Sequence, residues 1–174
     1  KLFAAREQRI HPGRDEKILT SWNALMIEGM AHAGRACGRA DWLASASHAL
    51  AFIRKEMWKN GRLLATFKDG RAHLNAYLDD HAYLLKAVLE LLQAEFDADL
   101  LAFAKALADA LLARFEDKPG GFYFTSHDHE ALIHRVKTGQ DNATPSGNGV
   151  AAFALQRLGH LTGEARYLES ADRS

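Results

Sequence analysis

The sequence predicts an all-α fold, an incomplete α/α toroid of helical hairpins carrying small β-hairpins. Three observations carry this expectation. Apolar residues recur at helical spacing in six segments. The segments alternate between a type that is apolar nearly all round and a type that is amphipathic, as inner and outer helices of a ring would be. The chain also aligns on itself, without a gap, at an offset of about 125 residues: Ser21 meets Ser146, Asn23 meets Asn148, Gly34 meets Gly159, Gly38 meets Gly163 and Leu43 meets Leu168.

The first helix is expected over Thr20–Gly38, where Leu25, Met26, Ile27, Met30, Ala33 and Ala36 follow a Thr/Ser cap and Gly34 and Gly38 mark the end. Asp41 is the cap expected for a second helix running to about Lys59, with Trp42, Leu43, Ala46, Ala49, Leu50, Ile53 and Met57 on its apolar side. Gly61–Leu74 then holds a short strand, Leu63–Phe67, and the turn Lys68-Asp69-Gly70, which together predict a β-hairpin. The third helix, Leu78–Phe96, has only a narrow polar strip of Lys86, Glu90 and Gln93, so it should be buried nearly all round. Asp97 starts the fourth, to about Phe115. A second hairpin is expected from Gly120–Thr125, a polar turn at Ser126–His129, and Ala131–Ile133. Ser146 or Asn148 starts the fifth helix, Val150–Leu161, and Ala165–Ala171 begins a sixth. With Asp79-Asp80 standing where Asn23 stands in the first unit, the repeating unit is a helical hairpin of roughly 60 residues used three times. Residues 1–174 are thus expected to be about half of a six-hairpin ring.

The 174 residues are 48% hydrophobic and 25% charged, enough for a core without disulfides. Twenty-two basic residues balance 22 acidic ones, so the charge excess that favours nucleic acid is missing. No stretch reaches the roughly 18 apolar residues of a membrane span, and Lys1–Arg9 lack the apolar core of a signal peptide. Cys37 stands alone, which leaves no disulfide framework or thiolate zinc site. The expectation is a cytoplasmic protein without cofactor, metal, nucleic-acid or membrane partner. His127, His129 and His134 are read as a solvated turn, and Arg6, Arg9 and Arg14 as a solvated basic run.

Three strings carry a resemblance: Asp15-Glu16-Lys17-Ile18-Leu19-Thr20-Ser21-Trp22-Asn23-Ala24-Leu25-Met26, Tyr77-Leu78-Asp79-Asp80-His81-Ala82, and Asp141-Asn142-Ala143-Thr144-Pro145-Ser146-Gly147-Asn148. In this order the chain resembles the YyaL-type family related to spermatogenesis-associated protein 20. The resemblance implies an (α/α)6 toroid similar to N-acylglucosamine 2-epimerases and six-hairpin glycosidases. In full-length members it is preceded by a thioredoxin-like domain, which these residues do not include. His81 departs from the family, which commonly has Tyr after the two aspartates.

Polar residues at the start of the inner helices are the candidate site. Asn23, Asp79 or Asp80, and Asn148 occupy equivalent rim positions, where unsatisfied amides and the helix dipole suit a polyhydroxylated or anionic ligand. The same residue types are also preferred simply as caps. Asp79 and Asp80 are about 100° apart on a helix, so one caps while the other projects. Asp80 with Asp141 is the expected acid and base pair; the alternative is that these carboxylates pair with Lys137 or Arg135. Trp22 is either a stacking platform for a sugar ring or a buried anchor. Ser146, after Pro145 and before Gly147, is expected at the same rim. The functional expectation is sugar epimerisation or glycoside hydrolysis in the full-length protein. The alternative is a non-enzymatic module that holds a sugar or a protein for an attached thioredoxin-like domain. An open ring would leave Val150, Phe153 and Leu155 uncovered, and self-association through such flanks follows.

Overall fold

The computed structural model describes residues 1–130 and 132–174. A short helix α1 (Leu2–Glu7), with no buried residue, precedes the two-residue strand β1 (Ile18–Leu19). Three helical hairpins follow: α2 (Thr20–Ala36) with α3 (Ala40–Phe52), α4 (Leu78–Ala94) with α5 (Ala98–Phe115), and α6 (Gly147–Thr162) with α7 (Ala165–Asp172). Helices α2, α4 and α6 pack side by side with α4 in the middle, and α3, α5 and α7 each lie against their own partner. This is an α/α toroid in which three hairpins form an arc.

Burial follows position in the arc. Flanked on both sides and backed by α5, α4 buries every apolar residue from Leu78 to Leu92, and Asp80, His81 and Glu90 with them. In α2 the buried residues form one stripe, Thr20, Ala24, Ile27, Ala31 and Gly34, because this helix has an inner neighbour on one side only. The expected apolar surface nearly all round therefore belongs to α4 alone. Val150 and Leu155 are buried rather than uncovered; Phe153 is exposed.

The internal repeat has a packing reason. A Cβ on Gly34 would stand 2.9 Å from Leu43 Cγ, and one on Gly159 would stand 2.7 Å from Leu168 Cγ. Each pair lets the outer helix lie directly on the inner one. Gly38 and Gly163, with φ of 65° and 73°, make the left-handed step between the two helices of their hairpins.

Two caps form as expected: the Asp97 carboxylate accepts from Leu100 N at 2.7 Å, and Ser146 precedes α6. Two do not. Thr20 is the first helical residue, and its hydroxyl donates to Leu64 O at 2.7 Å, tying α2 to the sheet. Asp41 lies inside the first turn of α3, where Arg39 donates to both its oxygens at 2.8 and 2.6 Å. The second helix also ends early: α3 gives way to a π-helical turn, Ile53–Met57, and Trp58–Lys59 is already strand β2.

The first hairpin forms and gains two partners. Strand β3 (Arg62–Lys68) pairs antiparallel with β4 (Arg71–Asn75), with Lys68 opposite Arg71, and also with β1 and β2. Positive φ at Asp69 and Gly70, and again at Asn60 and Gly61, makes both connections tight two-residue turns.

Among the described residues the second hairpin does not form. Between α5 and α6 the described residues hold one isolated bridge, Glu116 to Phe122, and Ala131 lies outside them. The backbone groups that a hairpin would use are spent elsewhere. Tyr123 N donates to Phe115 O, Leu78 N donates to Phe124 O, and Phe124 N donates to Val136 O, at 2.9, 3.0 and 2.8 Å. Gly120 has φ 131°, and a Cβ there would meet Arg173 O at 2.1 Å, so the chain is drawn against the end of α7 instead of turning back on itself. No described helix is long and apolar enough to cross a membrane.

Candidate functional site

Because successive inner helices run in the same direction, their N-termini meet at one rim. Asp80, at the third position of α4, binds two of them together. Its Oδ2 accepts from Tyr77 N at 2.8 Å, which caps its own helix, and its Oδ1 accepts from Ser21 N at 2.9 Å in the first turn of α2. Asp80 is 4% exposed, and burial pushes its carboxyl up to about 6 even though the two amides favour the charged form.

Asp79 is the residue that projects. Half-buried, its carboxylate forms no side-chain hydrogen bond among the described residues, and burial raises its pKa. It reaches across to α6, where a Cβ on Gly147 would stand 2.1 Å from Asp79 Oδ1. The small residue after Ser146 is thus what allows α6 to approach the α4 rim.

A cleft of about 220 Å³ opens at this rim between Leu19, Ser21, Thr66, Tyr77, Asp79 and Phe124. Tyr77 and Phe124 stack with ring centroids 4.9 Å apart. A larger groove of about 340 Å³ lies at the far end of α4, against α3 and the α4–α5 turn, but it is remote from these carboxylates.

The remaining candidate residues divide into two groups. Asp141 is exposed, and its Oδ1 accepts from Ser146 N at 2.8 Å, closing the loop that enters α6. The Ser146 hydroxyl donates to Thr138 O at 3.1 Å and accepts from Gly149 N at 3.5 Å. Asn148 acts on the backbone: its Oδ1 accepts from Phe122 N at 2.6 Å, and its Nδ2 donates to Phe122 O at 2.9 Å and Thr138 O at 3.0 Å. Asn23 Nδ2 donates to Leu19 O at 2.8 Å. Trp22 is 66% exposed and so is not a buried anchor. Lys137 pairs with Asp117 and Arg135 lies over Tyr123, so neither serves the rim carboxylates.

Two features escaped sequence reasoning. Tyr83, one turn below Asp79, is buried, and its hydroxyl donates to Pro145 O. Burial raises its pKa, and the charges of Asp79, Asp80 and Asp141 add to this. Tyr83 therefore ties α4 to the loop that enters α6 and feels the charge of all three carboxylates. Its i, i+4 relation to Asp79 was the available signal. The second feature is the charged cluster that the polar strip of α4 forms with its neighbours. Glu90, its side chain 8% exposed, accepts from Arg35 at 2.7 Å and Gln93 at 2.8 Å, lies 3.1 Å from His32 and 3.5 Å from Arg157, and so joins α2, α4 and α6. Burial opposes its ionisation, but Arg35, His32 and Arg157 outweigh that and hold its carboxyl low.

No family model matches the chain. Human spermatogenesis-associated protein 20 is 34% identical over 97% of the chain. The chain is homologous to a segment of spermatogenesis-associated protein 20. It spans about a quarter of that relative, 23% of its length. Among solved structures, a cellobiose 2-epimerase from Bacillus thermoamylovorans matches with TM-score 0.75 and 14% identity over 92% of this chain and 44% of its own. An inactive variant of an α-1,6-mannanase from Salegentibacter matches with TM-score 0.72 and 17% identity over 90% of this chain and 46% of its own. These likenesses establish the six-hairpin toroid fold for this chain.

Proposed function

We propose that this segment supplies part of the sugar-binding rim of a carbohydrate-active toroid, with epimerase or glycoside-hydrolase chemistry in the full-length protein. The observation that carries the reading is the half-buried Asp79 carboxylate, raised in pKa and without a hydrogen-bond partner among the described residues, at the mouth of an aromatic-edged cleft. A carboxyl whose burial favours its protonated form is suited to deliver a proton to a glycosidic or ring oxygen. Asp141, exposed in the loop that enters α6, is the complementary base, and Asp80 positions the starts of α2 and α4 rather than exchanging protons. The α-1,6-mannanase of similar fold is inactive when two consecutive aspartates are both replaced by asparagine, and Asp79-Asp80 is likewise a consecutive pair.

A second reading has its own support. Both oxygens of Asp80 and one of Asp141 accept backbone amides, which leaves a single carboxylate unengaged and favours a module that binds a sugar or a protein without turning it over. A glycan array probed with this chain and with the complete human relative, followed by turnover assays on each hit, separates the two. Turnover that is lost in Asp79→Asn supports the enzyme; binding without turnover supports the module; no glycan binding by either protein overturns the carbohydrate reading.

A further inference from the structure

Behind the aromatic edge of the cleft, the turn Thr125–His129 gathers buried polar atoms that find no partner among the described residues. Thr125 and Ser126 are 6% and 3% exposed. Among the described residues, Thr125 Oγ1, Ser126 Oγ, His129 Nδ1, Arg114 Nη1 and Arg135 Nε are buried without a hydrogen bond. The Ser126 hydroxyl stands beside the Asp128 carboxylate but outside hydrogen-bond geometry.

These atoms belong to one corner of the fold. His129 N donates to Ser126 O at 3.2 Å, which closes the turn, and His127 N donates to Arg114 O at 2.9 Å. Arg114 reaches Gly61 O at 3.2 Å and stands 3.9 Å from Asp128. From the other side Arg135 donates to Thr125 O while its guanidinium lies 4.0 Å over the Tyr123 ring. The His129 ring rests 5.6 Å from Tyr77, a wall of the cleft. Two guanidinium groups therefore grip one short turn.

Chemistry decides what would satisfy the corner. Both guanidinium nitrogens can only donate, and the hydroxyls and the imidazole are able to donate as well. Among the described residues, Arg62 and Arg114 share Asp128 as their one carboxylate and Arg135 pairs with none, so positive charge is in excess. The two guanidinium nitrogens require an acceptor and the hydroxyls can turn their protons to the same one, and under excess positive charge an oxyanion supplies it.

We infer that the turn Thr125–His129, flanked by Arg114 and Arg135, is a binding site for a tetrahedral oxyanion of the phosphate class, free or as an ester. The site is independent of the proposed carbohydrate chemistry, since it needs neither Asp79 nor Asp141. Titration calorimetry and thermal melts of this chain, with sodium phosphate against sodium chloride at equal ionic strength, should show saturable binding and a raised Tm in phosphate. Arg135→Gln and Thr125→Val should each weaken phosphate binding on the order of tenfold, with the melt in chloride used to verify folding. If a variant fails to fold, the phosphate-dependent shift of the His129 ring nitrogens in the wild type is the deciding readout. Equal affinity for phosphate and glucose 6-phosphate marks an ester site, and preference for phosphate marks a free-ion site; both support the inference. No phosphate-specific heat, Tm change or His129 shift in the wild type overturns it, as does unaltered phosphate binding in both folded variants.

Discussion

Asp79 on α4 and Gly147 on α6 are in contact at the rim: the place where a Cβ of residue 147 would stand is 2.1 Å from Asp79 Oδ1. Gly147→Ala must push the two helices apart or displace the carboxylate. The expected cost is about 1–3 kcal/mol in denaturant unfolding, with any ligand binding at the cleft reduced in parallel.

Asp79→Asn and Asp80→Asn should separate function from folding. Asp79 has no hydrogen-bond partner among the described residues to lose, so Asn is expected to leave urea stability within about 0.5 kcal/mol or raise it slightly, while abolishing turnover of any sugar substrate. Asp80 accepts an amide on each oxygen, and an Asn side chain offers one acceptor. Its loss is expected to cost about 1–2 kcal/mol, measured by the same unfolding curves.

Acid response follows from two adjacent buried groups of opposite sign. Asp80, raised to about 6 in the fold from an ordinary value of 3.8, contributes stability that is complete below about 3.8 and is lost as pH rises through 6. His81 packs against Phe115 and lies 3.1 Å from Tyr77 O. Burial lowers it from 6.5 to about 4, aided by the charges of Arg114 and Arg62. Its contribution is present above 6.5 and fades as pH falls towards 4. The two oppose each other between pH 4 and 6.5, so the wild type should change little there. His81→Phe should become more stable on acidification across that window, by on the order of 1–3 kcal/mol, and Asp80→Asn less stable. Parallel pH profiles in the two variants would refute the assignment.

Glu90→Gln removes the one negative charge shared by Arg35, His32 and Arg157. Because the carboxylate is buried while the basic partners are partly exposed, the expected loss is about 1–3 kcal/mol. Hydrogen exchange should show it as faster opening at the adjoining ends of α2, α4 and α6 together.

The open flanks of the arc predict association. Trp22, Met26, Phe153 and Leu161 are exposed on α2 and α6. Sedimentation equilibrium is expected to detect dimers or larger species that bury on the order of 1,000 Å². Trp22→Ser with Phe153→Ser should shift the chain towards monomer.

Much of the architecture was legible because it rests on local chemistry. Asp97 caps α5 through its own side chain, Ser146 caps α6, and Gly34 and Gly159 admit the outer helices at equivalent places. The segment after Gly120 was misread because its apolar alternation resembles a strand, whereas Phe124 and Tyr123 give their backbone groups to distant partners that no local pattern reveals. At the site, the spacing of Asp79 and Asp80 established that one caps and one projects, but the choice depends on Ser21 N, 59 positions away. The charged cluster at Glu90 was visible only as a polar strip, since its partners come from two other hairpins.

Asn148 offers Phe122 an acceptor and a donor side by side, as a neighbouring strand would, from a single side chain on the first turn of α6. The stretch between α5 and α6 thus takes its position from the rotation of a helix that comes later in the chain. A turn of α6 about its axis would carry Phe122 with it, and Tyr123 and Phe124 after it, so the aromatic edge of the cleft is steered from the third hairpin although it lies against the second.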